Sequence, residues 1–178
     1  MNAYYKSLLA IILGICTLKK GPQDIPESYA LQRQLLWAYI LLGCMSIFVG
    51  SQASIFVAIG QAFLETFALT VFTYLLLSYF SFIHRFKQVI SALYASGALI
   101  SIVSLPFVYQ VEILSRDQQP LGLLGWLVFI IMCWSFVVMA HILRQAIQKN
   151  LSTCLLLTFC YIYLSYQVIN MVFPQGLL

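Results

Sequence analysis

Glu65 is the residue of this sequence most able to do chemistry, because it is the only charged residue between positions 35 and 83. An ionisable group in so apolar a run is costly to place in a membrane and is by default a functional candidate. Gln61 precedes it by one helical turn, and Gln167 and Asn170 lie in a later apolar block. These side chains are candidates for an intramembrane polar site that binds a headgroup or passes a proton. The alternative, which we favour because the spans offer no second charged residue as a relay, is an interhelical hydrogen-bond network around a protonated Glu65.

Basic residues at the ends of the apolar blocks form a second set of candidates. They are Arg85, Lys87, Arg144 and Lys149. We interpret them as anchors whose long side chains reach lipid phosphate. A metal ion shared by His84 and His141 is the competing interpretation. Metal sites normally need three or four ligands, and neither a carboxylate nor a cysteine stands beside these histidines. We expect lipid anchors here, with no metal ion and no cofactor.

Sequence motifs of catalysis are mostly missing. The chain has no GxSxG, no HExxH, no glycine-rich phosphate loop and no CxxC pair. Its five cysteines are scattered, and in apolar surroundings a thiol behaves as a small hydrophobic group. Because no nucleophile–base pair or metal cluster can be assembled, we predict that the protein is not an enzyme.

The composition then defines the class of protein that must position these residues. Hydrophobic residues make up 62% of the 178 residues and charged residues only 8%, whereas soluble domains carry roughly 25% charged residues. Aromatic residues make up 15% of the chain, which excludes an intrinsically disordered chain. The sequence therefore predicts an integral membrane protein that crosses the bilayer several times.

Five apolar blocks are long enough to cross a bilayer, which requires about 20 residues of helix. The predicted spans are approximately 31–50, 55–83, 89–109, 121–143 and 151–173. The blocks are continuous apolar runs and lack the alternation of a membrane β-barrel, so the fold class is an all-α transmembrane bundle. We place the first turn at positions 50–54, where small and polar residues cluster, and Gly60-Gln61 is the competing turn.

The first twenty residues are predicted to form an amphipathic helix that lies along the membrane interface. Their apolar stretch, 8–18, is too short to cross, and lysines flank it. A stripe of small residues follows one face of this helix: Ala3, Ser7, Ala10, Gly14 and Thr17. Such a stripe is also typical of a helix that binds a partner helix, which is the alternative function for this segment.

Residues 21–34 are predicted to form an elbow and a lead-in to the first span. Gly21 and Pro22 end the first helix, and Asp24 is the expected N-cap of the next one, with Glu27 completing a capping box. The bundle proper is expected to occupy 35–173, and residues 174–178 form an external tail.

The distribution of lysine and arginine predicts the orientation. With five spans, eight of the nine basic residues fall on one side and only Arg116 falls on the other. Basic residues are retained in the cytoplasm, so the N-terminus is predicted inside and the C-terminus outside. No stretch forms the concentrated basic face that a nucleic-acid-binding protein needs, so nucleic acid is excluded as a partner.

The chain resembles the small bacterial members of the Yip1-domain family. The resemblance is carried by Lys19-Lys20-Gly21-Pro22-Gln23-Asp24-Ile25-Pro26 and by the layout of spans from 35 to 173. It implies a non-enzymatic membrane protein that acts through helix contacts with partners. The Asp-Leu-Tyr-Gly-Pro type motif of the eukaryotic relatives is missing, so the resemblance does not extend to a trafficking role.

Together these observations predict a non-catalytic protein of a bacterial inner membrane that scaffolds or accompanies a larger envelope complex. Its expected partners are membrane lipids and either other membrane-protein subunits or a second copy of the chain. The alternative function is a small transporter or lipid-handling protein that uses the polar residues around Glu65.

Overall fold

A computed structural model describes residues 2–51 and 54–173 as an all-α protein, which confirms the predicted fold class. Within these residues the helices are α1 Asn2–Cys16, α2 Tyr29–Ser51, α3 Ile55–Tyr79, α4 Phe86–Arg116, α5 Gly122–Ile147 and α6 Leu151–Val172. Two short 3-10 turns, Pro22–Asp24 and Ile83–Arg85, precede α2 and α4. Helices α2 to α6 are long and apolar enough to cross a membrane, so the chain has the features of an integral membrane protein.

The five long helices pack side by side as a ring. Following the contacts around the bundle, α2 packs on α3, α3 on α6, α6 on α5, α5 on α4, and α4 closes the ring on α2. Helix α4 packs most extensively against α2 and also contacts α3 and α1. Polar residues placed on the inner faces of these helices can therefore meet between them.

The core is concentrated at one end of the ring, which we call the basic end. Helices α2, α4 and α6 begin there, and α3 and α5 end there. Helix α1 and the Pro22–Asp24 turn add a further layer against α4 and α5 at this end. Fully buried side chains collect near it, including Ile15, Leu77, Ile90 and Leu143. The extra layer explains why the first half of α4 is buried all round.

Helix α1 docks through its large aliphatic residues. Leu8, Ile12 and Ile15 recur at helical spacing and are buried, whereas Ser7 and Ala10 of the small-residue stripe are exposed. Within this chain the stripe is therefore not the docking face of α1. Burial raises the pKa of the adjacent Cys16 thiol to about 11, so this cysteine stays uncharged at neutral pH.

We predict that one hydrogen bond fixes the end of α1. The indole nitrogen of Trp134 on α5 donates to the Cys16 carbonyl oxygen at 2.9 Å. Trp134→Phe removes this donor and is expected to lower the free energy of unfolding by about 1 kcal/mol. Hydrogen exchange of the amides of α1 should become faster. Trp126→Phe is the matched control, because Trp126 is exposed on the same helix, and it should change neither quantity.

The helix ends differ from the predicted spans in informative ways. Helix α3 is continuous through Gly60 and Gln61, so the boundary between α2 and α3 lies in the 50–54 cluster, of which residues 52 and 53 are outside the described residues. Helix α4 continues to Arg116, beyond the predicted end at 109. An ion pair at 3.1 Å between Glu112 and Arg116, one turn apart, supports these additional turns.

The elbow is capped differently from the prediction. The Asp24 carboxylate accepts a hydrogen bond from the Gly21 amide at 2.9 Å and so closes the 3-10 turn, not α2. Helix α2 begins at Tyr29, and the Ser28 hydroxyl accepts from the Leu31 amide at 3.4 Å. The cap prediction was wrong because the proline-rich segment makes a turn of its own first. The tail at 174–178 lies outside the described residues.

Candidate functional site

A cleft of about 990 Å³ opens at the basic end, and we call it the basic cleft. Four separate segments line it: the connection between α1 and α2, the α3–α4 turn with the first turn of α4, the last turns of α5, and the α5–α6 turn. Their charged side chains in the cleft are Glu27, Arg85, Arg144 and Lys149. Three cations thus face one carboxylate, and the cleft attracts anions.

Two of the cations are supported by aromatic rings. The Arg85 guanidinium lies 5.2 Å from the centroid of the Phe82 ring, and the Lys149 ammonium lies 5.7 Å from that of Phe80. Both rings belong to the turn that follows α3. Cation–π contacts of this kind restrict the long side chains without neutralising their charge. The positive groups therefore remain available to a ligand.

The turn between α5 and α6 places Arg144 and Lys149 in the same cleft. Gln148 adopts a left-handed conformation, with φ of 54°, and its amide donates to the Arg144 carbonyl oxygen at 2.9 Å. This ends α5 and reverses the chain into α6. Helix N-termini (α4, α6) and helix C-termini (α3, α5) both lie at this end, so the attraction for an anion comes from the basic side chains and not from the helix dipoles.

A histidine joins the elbow to α5. The Nε2 atom of His141 lies 3.0 Å from the Lys20 carbonyl oxygen. Because a carbonyl oxygen only accepts, Nε2 carries the proton and donates. His84 also lines the cleft, so the structure brings both histidines to one place. Among the described residues, no three His, Cys, Asp or Glu side chains are grouped to hold a metal ion.

The structure separates the four predicted lipid anchors into two groups. Arg85, Arg144 and Lys149 share the basic cleft. Lys87 is not a lining residue of the cleft, and its ammonium lies 3.9 Å from the centroid of the Tyr29 ring. Sequence reasoning missed Glu27 and Gln23 as cleft residues, although their position in a polar, proline-rich elbow was a usable signal.

A second candidate site lies between the helices of the ring, and we call it the Glu65 cavity. Its volume is about 190 Å³, and all five long helices contribute to its lining. Glu65 is the eleventh of the 25 residues of α3, far from either helix end. The Tyr39 side chain on α2 lines the same cavity. Two spans therefore place polar side chains at one cavity, as expected of an interhelical polar network.

Aromatic side chains extend this network across the ring. The Tyr39 and Tyr94 rings are 5.5 Å apart, and the Tyr94 hydroxyl is hydrogen-bonded to that of Thr70 at 2.7 Å. Gly97 allows the close approach of α2, because a Cβ atom there would lie 2.5 Å from the Tyr39 ring. A glycine at this position therefore lets the Tyr39 ring lie directly against α4.

The four residues of the predicted intramembrane site do not all meet. Gln61 is buried one turn from Glu65, but Gln167 and Asn170 do not line the cavity. The Gln167 amide instead donates to the Tyr163 hydroxyl at 2.9 Å on its own helix. The residue that α6 presents beside Glu65 is Tyr161, which lies about 9 Å along the axis from Gln167.

Tyr39, Tyr94 and Tyr161 were missed by sequence reasoning. Their signal was the presence of hydroxyl groups deep in apolar runs, where each needs a partner.

Comparison of the chain with protein-family models, curated proteins and solved structures finds no match. The resemblance to the Yip1-domain family therefore stays a prediction, and function must be argued from the two sites.

Proposed function

We propose that this protein is a non-catalytic membrane protein that binds the phosphate-bearing headgroup of an anionic lipid in the basic cleft. The observation that carries the proposal is the convergence of Arg85, Arg144 and Lys149 from separate segments on one cleft. Arginine and lysine are the side chains that recognise phosphate most strongly, arginine through two parallel hydrogen bonds.

The position of the cleft supports a lipid over a soluble ligand. It lies at the ends of five helices that are apolar along their length. Lipid phosphate groups occupy this level of a membrane, where basic side chains collect. None of the described lining residues is a serine, threonine or cysteine, and the cleft therefore offers none of the usual hydroxyl or thiol nucleophiles. This supports binding in preference to covalent catalysis.

A scaffold for a larger envelope complex is the second proposal. It is supported by α2. Only 6% of the residues in the most apolar stretch of this helix are buried within the chain, and Trp37, Leu41 and Phe48 are exposed. Lipid tails and a partner helix are equally suited to cover this surface. We place lipid binding first because three cations against one carboxylate give the basic cleft an excess of positive charge, which favours an anion.

Lipid selectivity tests the proposed function. The purified protein in a neutral detergent is incubated with equal amounts of phosphatidic acid, phosphatidylglycerol and phosphatidylcholine, and bound lipids are counted by native mass spectrometry. We expect the two anionic lipids to be retained at least about tenfold over the zwitterionic one, which corresponds to about 1.4 kcal/mol. Equal retention of the three lipids would contradict the proposal.

We further propose that the protein lies in a bacterial inner membrane with the basic end in the cytoplasm. Lys19, Arg85 and Lys149 share that end with most other basic residues, whereas Arg116 ends α4 at the opposite end. Reporters fused after Lys87, Asp117, Lys149 and Leu178 should read inside, outside, inside and outside.

Two reciprocal reporters check this order: alkaline phosphatase, which is active only outside, and a green fluorescent protein, which fluoresces only inside. Each fusion point should give one signal and lack the other. A reversed or mixed order would disprove the proposed orientation. Lipid binding by the cleft is measured separately, in the lipid-selectivity experiment.

A further inference from the structure

The Glu65 cavity contains a carboxyl group without a cation beside it. None of the described residues that line it is a lysine, arginine or histidine. The Tyr39 side chain lines the same cavity. A carboxylate at this depth is expensive unless a proton or a positive group compensates it. The cavity beside Glu65 provides room for such a group.

The other polar groups of the lining offer lone pairs. The Ser96 hydroxyl donates to the Leu93 carbonyl oxygen at 3.2 Å. The Ser135 hydroxyl donates to the Met132 carbonyl oxygen at 2.8 Å. Each hydroxyl has a single proton, so any contact that these serines make with a bound molecule is as acceptors. A complementary ligand must therefore bring hydrogen-bond donors.

Aromatic rings add a preference for positive charge. Tyr39, Phe136 and Tyr161 line the cavity from α2, α5 and α6. The face of an aromatic ring attracts a cation, and the attraction is strongest where water is excluded. With about 190 Å³, the cavity is smaller than the roughly 300 Å³ at which pockets for drug-sized ligands begin. It suits a small molecule and is too small to hold a whole lipid.

From these features we propose that the Glu65 cavity is a binding site for a small organic ammonium cation. The Glu65 carboxylate compensates the charge, the acceptors of Ser96 and Ser135 face its N–H groups, and the three aromatic rings surround its alkyl part. This site is separate from the basic cleft and attracts ligands of the opposite charge.

Binding of isopropylammonium chloride by the purified full chain in detergent tests the proposal. Thermal unfolding is followed during titration, and saturation-transfer NMR detects the bound cation directly. We expect a saturable rise in the unfolding temperature. Isopropanol, which has the same shape without the charge, and sodium chloride at equal ionic strength should produce no saturable rise. Saturable binding of isopropanol, an equal response to sodium, or no saturable response to the cation would overturn the proposal.

Variants distinguish binding from a structural role. Glu65→Gln keeps the size and the hydrogen-bonding shape of the side chain and should weaken isopropylammonium binding at least tenfold. Glu112→Gln is the matched control, because Glu112 lies near the other end of α4 and pairs with Arg116, and it should leave binding unchanged. Phe136→Leu removes one aromatic face and should weaken binding severalfold even if Glu65→Gln does not fold. Unchanged affinity in a folded Glu65→Gln protein, or in Phe136→Leu, would refute the site.

Discussion

Replacing both arginines of the basic cleft by glutamate should abolish selective binding of anionic lipid. In the double variant Arg85→Glu/Arg144→Glu, two of the three cations of the cleft are lost and two carboxylates join Glu27. A charge-assisted hydrogen bond to phosphate contributes about 1.5 kcal/mol or more. Losing two of them weakens binding by at least about a hundredfold, before like-charge repulsion is added. Native mass spectrometry with phosphatidic acid measures the loss.

A control with the same change in net charge separates the cleft from general surface electrostatics. Lys6 and Arg33 are exposed, and neither lines the basic cleft. Lys6→Glu/Arg33→Glu should therefore weaken phosphatidic acid binding by much less than the cleft variant does. Circular dichroism and gel filtration verify that both proteins are folded. If the two double variants lose affinity equally, the cleft has no specific role and the proposed function is wrong.

The number and type of the long helices could be predicted because hydrocarbon thickness fixes the length of a spanning helix. Each of the five charge-poor blocks became one helix. The ends were less predictable. Helix α4 continues past residue 109 because its polar residues are compatible with helix, and the pair of Glu112 and Arg116 stabilises it. Apolar length therefore predicts where a span must exist, not where its helix stops.

Only some residues of the two sites could be predicted from the sequence, because which residues meet depends on the order of the helices in the ring. Charge placement predicted that Arg85 and Arg144 lie at the same end, but not that both line one cleft while Lys87 does not. Glu65 was found from its isolation in an apolar run. Tyr39, which lines the same cavity, is 26 positions away, and no local pattern relates an α2 tyrosine to an α3 acid.

The last prediction concerns Gly97, the glycine on which the Tyr39 ring packs. Gly97→Ala adds a methyl group where a Cβ atom would lie 2.5 Å from the Tyr39 ring. Overpacking of this kind costs about 1–3 kcal/mol, which exceeds the gain of up to about 1 kcal/mol that alanine brings to a helix. We expect a net loss of about 1–2 kcal/mol in the free energy of unfolding, measured by denaturation in mixed micelles.

Gly43→Ala is the matched control for this variant. A Cβ atom at Gly43 lies 4.0 Å from the Ala62 side chain, an ordinary contact, so the same substitution should be neutral or stabilising. Removing the opposing ring in Gly97→Ala/Tyr39→Leu should recover part of the stability, because the two changes act on one contact. Equal stability of Gly97→Ala and Gly43→Ala would mean that α2 tolerates the displacement of Tyr39. If Gly97→Ala is destabilised as expected and also loses isopropylammonium binding, the packing of α2 on α4 and the geometry of the Glu65 cavity depend on the same close approach.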